Sequence, residues 1–312
     1  MQVPRREVVG ALIGVLFAAG PAWAGPLAAL APGAVDDARK AIAIGPGGEV
    51  YEPDGKGAWS HRAPITTAAP LTAAGRAGDA VVALGDGVVY RLADNGWSAL
   101  RLVQHGKAVL GAGPRALAAV GRQVFALDTL TGGEPTKLVA APGPVVALAA
   151  GGKAAVIVTD AAAFRLALVG KPGKLAALPA APRKLRLVSD RWAIVERGAL
   201  ELPSGKLTRW PAGLAIGVAA VTGDDALVAV ATSRAGLELL TVRGGAIARA
   251  PIDGVAASAT AVGVVVDRAG RAAVALADGR IAVRDKAGWT IAAVSDAVLD
   301  AHPGPPPAIS GT

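Results

Sequence analysis

The sequence predicts an all-β protein made of repeated four-stranded antiparallel sheets that close into a ring, and three observations lead there. Short apolar runs alternate with Gly-, Asp- and Asn-containing turns along most of the 312 residues. A tryptophan recurs at corresponding places, Trp59 and Trp97 being 38 positions apart (97 − 59). Aromatic residues make up only 4% of a chain rich in Ala, Val and Gly, a composition that suits thin, closely stacked layers.

The clearest single unit is the stretch Asp79–Val103. It reads as three short strands, Ala80–Leu84, Val88–Leu92 and Trp97–Val103, separated by an Asp-Gly turn and an Asn-Gly turn. Such dipeptides between β-branched runs are the strongest short-range signal for a hairpin. A fourth strand, Ala108–Gly111, follows before the next copy begins.

The unit recurs seven times at a period near 38 residues, because the 192 positions from Trp97 to Trp289 hold five such intervals. A fixed period in this range indicates a solenoid or a ring of blades. The apolar strand that precedes each hairpin turn is found at Ala41–Ile44, Ala80–Leu84, Leu117–Val120, Ala154–Val158, Trp192–Val195, Ala226–Val230 and Ala272–Leu276. The sequence therefore predicts a seven-bladed β-propeller of four-stranded antiparallel blades, with a solenoid or plain sandwich as the alternative.

The two ends of the chain predict how the ring closes. Trp289 is followed by an Ala-Val-Leu-Asp run just as Trp97 is followed by Ala-Val-Leu-Gly. We expect Ala297–Ala301 to be a C-terminal strand that closes the first blade from the inside, with Ala41–His61 supplying its outer three strands. The alternative is that Leu27–Leu30 fills this place. The predicted divisions are a lead-in at 25–38, the propeller at 39–302 and a disordered Pro/Gly-rich tail at 303–312.

In the shape of its repeats, the chain resembles the β-propeller superfamily of WD40, NHL, YVTN and quinoprotein-like proteins. The Trp-Asp and Gly-His signature of WD40 blades is absent. The turns before Trp59 and Trp97 resemble degenerate Asp-boxes, which are structural in sialidase-like propellers and imply nothing catalytic. The resemblance implies that a ligand binds at the mouth of the axial channel.

The first 24 residues are predicted to be an export signal. Arg5-Arg6 form a positive start, Val8–Ala19 is apolar, and Ala22-Trp23-Ala24 is a cleavage site of the A-x-A kind. The arginine pair also resembles a twin-arginine signal, so the twin-arginine and general secretory routes both stay open. We expect cleavage after Ala24, a mature chain without a transmembrane segment, and a periplasmic or secreted protein.

Charge and composition exclude several classes of protein. There is no cysteine, so disulfides, thiolate zinc sites and catalytic thiols are impossible. The net charge is +8, but the basic residues are scattered singly without the aromatic interleaving of a nucleic-acid groove. We therefore expect no nucleic-acid partner, while a diffuse attraction to anionic polymers or lipid headgroups stays open.

Candidate binding residues occupy two sets of loops that a propeller places on one face. One set joins the outermost strand of each blade to the next blade, and the other joins the second and third strands. The candidates at the channel mouth are His61, Arg62, His105, Lys107, Arg122, Asp160, Arg183, Arg197, Arg234 and Asp253. Their summed charge is positive, which favours an anionic ligand; the alternative is that they are ordinary solvated loop residues.

No residue pattern in the chain indicates catalysis. No G-x-S-x-G elbow or histidine metal spacing is present, so no catalytic residue, metal site or cofactor is predicted. The favoured hypothesis is a monomeric, exported, non-catalytic propeller that acts as an interaction scaffold or binding module for another protein of the bacterial cell envelope. The alternatives are a lactonase- or quinoprotein-like propeller enzyme with a metal or cofactor at the channel mouth, and a binder of anionic glycans or lipid headgroups.

Overall fold

The computed structural model describes the part of the chain on which all structural statements below rest. These residues are 27, 29–31, 37–45, 49–54, 58–62, 71, 73–77, 80–85, 88–93, 96–101, 108–111, 115–127, 135–169, 173–178, 185–222, 226–298 and 309–310. The predicted export signal at 1–24 and most of the predicted tail lie outside them.

The described residues form short strands and one 3₁₀ helix, Ala38–Lys40. The first strands are β1 (Ala29–Ala31), β2 (Ile42–Ile44), β3 (Val50–Pro53), β4 (Trp59–Arg62), β5 (Ala73–Ala77), β6 (Ala80–Gly85), β7 (Val88–Ala93), β8 (Gly96–Arg101), β9 (Ala108–Gly111), β10 (Leu117–Val120), β11 (Gln123–Ala126), β12 (Thr136–Ala140), β13 (Val145–Ala150), β14 (Ala154–Thr159) and β15 (Ala163–Ala167). The others are β16 (Leu175–Ala177), β17 (Leu185–Leu187), β18 (Trp192–Val195), β19 (Gly198–Glu201), β20 (Lys206–Arg209), β21 (Ala215–Val221), β22 (Leu227–Ser233), β23 (Gly236–Arg243), β24 (Ala246–Pro251), β25 (Ala261–Val266), β26 (Ala272–Leu276), β27 (Arg280–Arg284), β28 (Trp289–Val298) and β29 (Ile309–Ser310).

The strands pair into antiparallel sheets, so the predicted all-β propeller with four-stranded antiparallel units is confirmed. Five sheets are of blade size: β9–β12, β13–β16, β17–β20 and β21–β24 have four strands each, and β5–β8 gains β29 as a fifth. The strands β1–β4 and β25–β28 join in one eight-stranded sheet, because β28 pairs in parallel with β4. The prediction of seven separate blades is therefore wrong.

The predicted closure by a C-terminal strand is also wrong. The innermost strand beside β2 is β1, which pairs Ala29 with Ile44 and Ala31 with Ile42. The long strand β28 instead runs past the end of β27 and continues along β4, at the outer edge of that sheet. Residues 297–298 therefore lie at the outer edge of the sheet, beside β4, and residues 299–301 lie outside the described residues. The alternative considered above, Leu27–Leu30, lies close to the observed β1.

Inner strands of neighbouring sheets pack against one another around the axis. Contacts join β1 to β5, β5 to β9, β9 to β13, β13 to β17, β21 to β25 and β25 back to β1. Glycine permits the closest approaches: a Cβ on Gly111 of β9 would lie 2.7 Å from Leu148 Cγ, and one on Gly263 of β25 would lie 2.6 Å from the backbone N of Leu30. The small side chains of this sequence therefore allow the strands to crowd at the axis.

Burial falls from the inner strands to the outer ones. Every residue of β10, β14, β18 and β26 is buried, as expected for strands covered on both faces by neighbouring sheets. The outermost strand β24, by contrast, has no fully buried residue. The apolar runs of the sequence thus mark the inner half of each sheet, which is where the hydrophobic stabilisation is concentrated.

An ion-pair cluster around the buried Asp267 joins the segment before β2 to the turn between β25 and β26; we call it the closure cluster, and it comprises Asp37, Ala38, Asp267 and Arg271. Asp267 Oδ2 accepts hydrogen bonds from Ala38 N at 3.2 Å and from Arg271 Nε at 2.6 Å, while Oδ1 accepts from Arg271 N at 3.0 Å. Arg271 also lies 3.5 Å from Asp37 Oδ1. The closure cluster therefore links the segment between β1 and β2 to the turn between β25 and β26.

The structure defines two faces of the propeller. The channel face carries the loops from each outermost strand to the next innermost strand and the loops between second and third strands. The opposite face carries the loops between first and second strands and between third and fourth strands. Asp54 supports the expected structural role of the turn before Trp59 on that opposite face, because its Oδ1 accepts a hydrogen bond from Ala58 N at 3.1 Å.

Two carboxylates on third strands make stability sensitive to acid. Hydrogen bonds from Arg249 hold the pKa of Glu238 below its usual 4.5, and hydrogen bonds from Ser204 and then Arg191 do the same for Glu201. Because the folded pKa is depressed, their stabilisation is complete above pH 4.5 and is lost as the pH falls through the lowered value. We expect the melting temperature of wild type to decrease as the pH is lowered from 4.5. The melting temperature of Glu238→Gln should decrease less steeply over the same range. Parallel acid profiles of the two proteins would contradict this.

Candidate functional site

The structure places five of the predicted site residues in exposed loops of the channel face. Arg122, Asp160, Arg197 and Arg234 lie in successive turns between second and third strands, and Asp253 follows β24. Arg122 Nε donates a hydrogen bond to Ala141 O at 2.9 Å, so this side chain is tied to its own sheet. Glu196 and Asp278 lie in corresponding turns, so these arginines share the described part of the face with carboxylates.

The remaining candidates are placed less completely. His61 and Arg62 end β4, the outermost strand of its half of the eight-stranded sheet. His105, Lys107 and Arg183 lie outside the described residues. Within the described part of the chain, no three His, Asp or Glu side chains come together as ligands of a metal ion.

The residue that sequence reasoning missed at the channel mouth is Arg186. It is the second residue of the innermost strand β17, counted from the channel face. Its guanidinium reaches across to β21, the innermost strand of the next sheet, and donates hydrogen bonds from its NH2 group to Ile216 O at 2.7 Å and from its NH1 group to Gly217 O. Arg186 therefore bridges two inner strands beside the axial channel.

The bridge depends on an irregularity in β21. The pairing of β21 with β22 shifts register between Ile216 and Ala219, so the regular ladder is interrupted at Gly217. Irregular pairing of this kind bends a strand and redirects its backbone groups. Arg186 donates to the carbonyls of Ile216 and Gly217 at this shift, so the backbone of one sheet positions the side chain of its neighbour.

Burial gives Arg186 an unusual electrostatic state. Removal from water lowers the pKa of its guanidinium below the usual value, and that is the cause of its shift. Its hydrogen bonds within the described residues go to neutral carbonyls, and no described carboxylate forms an ion pair with it. A partly buried cation that lacks a counter-charge carries a desolvation cost that a bound anion would offset.

A signal for Arg186 was present in the sequence. The segment Leu185–Val188 reads as an apolar inner strand, and Arg186 is the charged residue within it. An inner strand of a crowded ring is an expensive place for a charge, so such a residue is a candidate for function. The candidates predicted from the sequence lie in connections between strands, whereas Arg186 lies within a strand.

The comparisons with known proteins show the fold. No family model matches the sequence, and no curated protein is significantly similar to it. The WD40 β-propeller domain of Doa1 is similar in structure with a TM-score of 0.56 and 11% identity, over 89% of this chain and 98% of that chain. Streptogramin B lyase has a TM-score of 0.58 and 12% identity, over 85% of this chain and 94% of that chain.

A third similar structure is a larger protein. PorZ, a bacterial surface component of the type-IX secretion system of Porphyromonas gingivalis, has a TM-score of 0.55 and 15% identity, over 91% of this chain but 39% of that chain. At such identities the likeness concerns the fold alone. The chain is thus a β-propeller protein, and the resemblance to WD40 and related propellers is confirmed without assignment to one family.

One further finding concerns membranes. Among the residues that the structure describes, no helix has the length and apolar character needed to cross a bilayer.

Proposed function

We propose that the protein is an exported, monomeric β-propeller binding module of the cell envelope, and that its channel mouth holds an acidic segment of a partner protein. The observation that carries this proposal is Arg186, a partly buried cation beside the channel whose described hydrogen-bond partners are backbone carbonyls. Arg122, Arg197 and Arg234 supply further cations in the surrounding channel-face loops, which also carry carboxylates such as Glu196 and Asp278.

A guanidinium has five N–H donors in a planar fork, and two of them are used by Ile216 and Gly217. The others are available to a carboxylate, and charge-assisted hydrogen bonds of this kind are shorter and stronger than neutral ones. Because β17 and β21 hold the guanidinium in place, little side-chain entropy remains to be lost when an anion binds.

The export and envelope part of the proposal rests on other observations. Residues 1–24 have the charge, apolar and cleavage pattern of an export signal, through either the twin-arginine or the general secretory route. The similar structure of PorZ is that of a bacterial surface component. The mature chain would begin at Gly25, which leaves β1 within it, and N-terminal sequencing of the protein recovered from the periplasm checks this start.

The test of the binding function uses hexaglutamate as the probe for an acidic peptide. We expect wild type to bind it, in calorimetry at low ionic strength, with an affinity that falls as salt is added. Arg186→Gln keeps a hydrogen-bonding side chain but removes the charge, and should weaken binding by about tenfold, the usual size for loss of a charge-assisted hydrogen bond. Arg209→Gln is the matched control, because Arg209 is exposed on the outermost strand β20, away from the axis.

The outcomes separate clearly. Binding that is unchanged in Arg186→Gln, or that falls equally in Arg209→Gln, would show a diffuse charge effect and overturn the assignment to the channel mouth. Absence of hexaglutamate binding to wild type would also overturn it. Circular dichroism spectra that match wild type would establish that the substitution has not simply unfolded the ring.

A further inference from the structure

A cavity of about 300 Å³ opens on the opposite face, between the sheet β17–β20 and the sheet β21–β24. Its floor is formed by buried residues that include Trp192 and Thr208, and its exposed rim includes Lys206 and Arg243. This volume is at the low end for small-molecule sites. It equals about ten water molecules at their share of liquid volume of ~30 Å³ each.

The charges around the cavity are arranged before any ligand arrives. Glu201 Oε1 accepts hydrogen bonds from Arg191 at 3.0 and 2.7 Å, and Glu201 Oε2 accepts one from Ser204 Oγ at 2.7 Å. These bonds lower the pKa of Glu201, the Ser204 bond having the largest effect, so the carboxylate is ionised and neutralises Arg191. Lys206 adds a further cation at the exposed rim of the lining.

Lys206 is held at the junction of the two sheets. Its Nζ donates a hydrogen bond to Gly244 O at 3.1 Å, in the two-residue turn between β23 and β24. That turn has positive φ at both Gly244 (60°) and Gly245 (93°), the pattern of a tight hairpin turn that other residues rarely adopt. The ammonium has further N–H donors that can point into the cavity.

Independently of the charges at the rim, the hydroxyl of Thr208 also points to a ligand. This residue is 8% exposed, it lines the cavity, and its side chain makes no hydrogen bond to the described residues. Buried hydroxyls nearly always have a partner, and leaving one unpaired carries a desolvation cost. A partner in the cavity, whether solvent or ligand, would satisfy it.

We propose that this cavity binds a small carboxylate-bearing molecule of about monosaccharide size. Its carboxylate lies beside Lys206 at the rim, a polar group of the ligand bonds to Thr208, and its body rests against Trp192 on the floor. Indole faces and short apolar side chains suit the non-polar part of such a ligand, while the rim charges select for the anion. The site lies on the face away from Arg186 and does not depend on the acidic-peptide function.

The experiment is calorimetric titration of the full mature chain with D-glucuronate, D-glucose and inorganic phosphate. We expect glucuronate to bind. Glucose, which is its neutral counterpart, should bind at least about tenfold more weakly, and phosphate should also bind more weakly than glucuronate. Lys206→Gln should weaken glucuronate binding by about tenfold, and Thr208→Val, which removes the hydroxyl at nearly constant shape, by about fivefold, the range for a hydrogen bond to a charged and to a neutral group respectively. Arg165→Gln, exposed on β15 in a different sheet, is the matched control and should bind as wild type does.

Each other result overturns the proposal in a defined way. Failure of glucuronate to bind, or equal binding by wild type, Lys206→Gln and Thr208→Val, would remove the cavity as a site. Equal affinity for glucose and glucuronate would show that charge does not select the ligand. Tighter binding of phosphate than of glucuronate would show that the site does not prefer a carboxylate. Because Lys206 is exposed, its variant is expected to fold, and hexaglutamate binding by these variants reports separately on the channel mouth.

Discussion

Replacing Asp267 by alanine is expected to lower the free energy of unfolding by about 3 kcal/mol, the lower end of the range for breaking a buried ion pair. The side chain of Asp267 is 1% exposed and accepts hydrogen bonds from Arg271 Nε, Arg271 N and Ala38 N. Its removal leaves two backbone donors and a partly buried guanidinium without their acceptor. The loss is limited because Arg271 keeps Asp37, 3.5 Å away.

Urea unfolding followed by circular dichroism measures this effect, with Asp278→Ala as the matched control. Asp278 also pairs with an arginine, Arg280, at 2.6 Å, but both side chains are partly exposed, at 46% and 34%. Exposed pairs of this kind contribute about 0–1 kcal/mol. Similar losses in the two variants would mean that the closure cluster does not hold the N-terminal segment.

Replacing Gly263 by alanine is expected to destabilise the protein by about 2–3 kcal/mol, the upper part of the range for overpacking a core. An added Cβ would lie 2.6 Å from the backbone N of Leu30 and 2.7 Å from its Cβ. Both distances are shorter than real contacts allow, and the nearest atom belongs to backbone, which moves only if β1 moves. The substitution therefore forces β1 away from β25.

The matched control is Gly217→Ala on β21, another inner strand. A Cβ at Gly217 would lie 3.4 Å from Val230 O and 3.9 Å from Ala261 O, which are ordinary contacts. We expect it to change stability by less than about 1 kcal/mol, as for a substitution without a clash. If Gly263→Ala were as stable as Gly217→Ala, β1 would not occupy the inner position beside β25.

These two experiments examine the same structural point, which is that the ring is closed by the N-terminal part of the chain. The sequence favoured the C-terminal end because Ala-Val-Leu-Asp at 297–300 resembles Ala-Val-Leu-Gly at 108–111. In the structure, residues up to 298 continue β28 along the edge of β4 and are not available inside. The inner place is taken by β1, whose Leu30 fits over the bare backbone of Gly263.

The residues of the candidate site also fall into those that local sequence signals predict and those that only the tertiary structure reveals. Turn chemistry predicted that the exposed residues Arg122, Arg197 and Arg234 lie in turns between strands, because Gly- and Asp-rich punctuation between apolar runs is a local signal. It did not find Arg186 or the cavity at Lys206 and Arg243. Arg186 acquires its role from the register shift in β21, and the cavity depends on how two consecutive sheets pack against each other.

By itself, the amino-acid sequence determined the type of strand, the antiparallel four-stranded unit and the positions of most turns, because alternation of apolar runs and turn residues acts over a few neighbouring positions. Only the tertiary structure decided how many strands share a sheet, which end of the chain lies at the axis and where charge is left partly buried. Those outcomes depend on edge pairing such as that of β28 with β4, and on close approaches such as Leu30 on Gly263. Such contacts join residues more than two hundred positions apart, and no local pattern encodes which of two similar strands will form them.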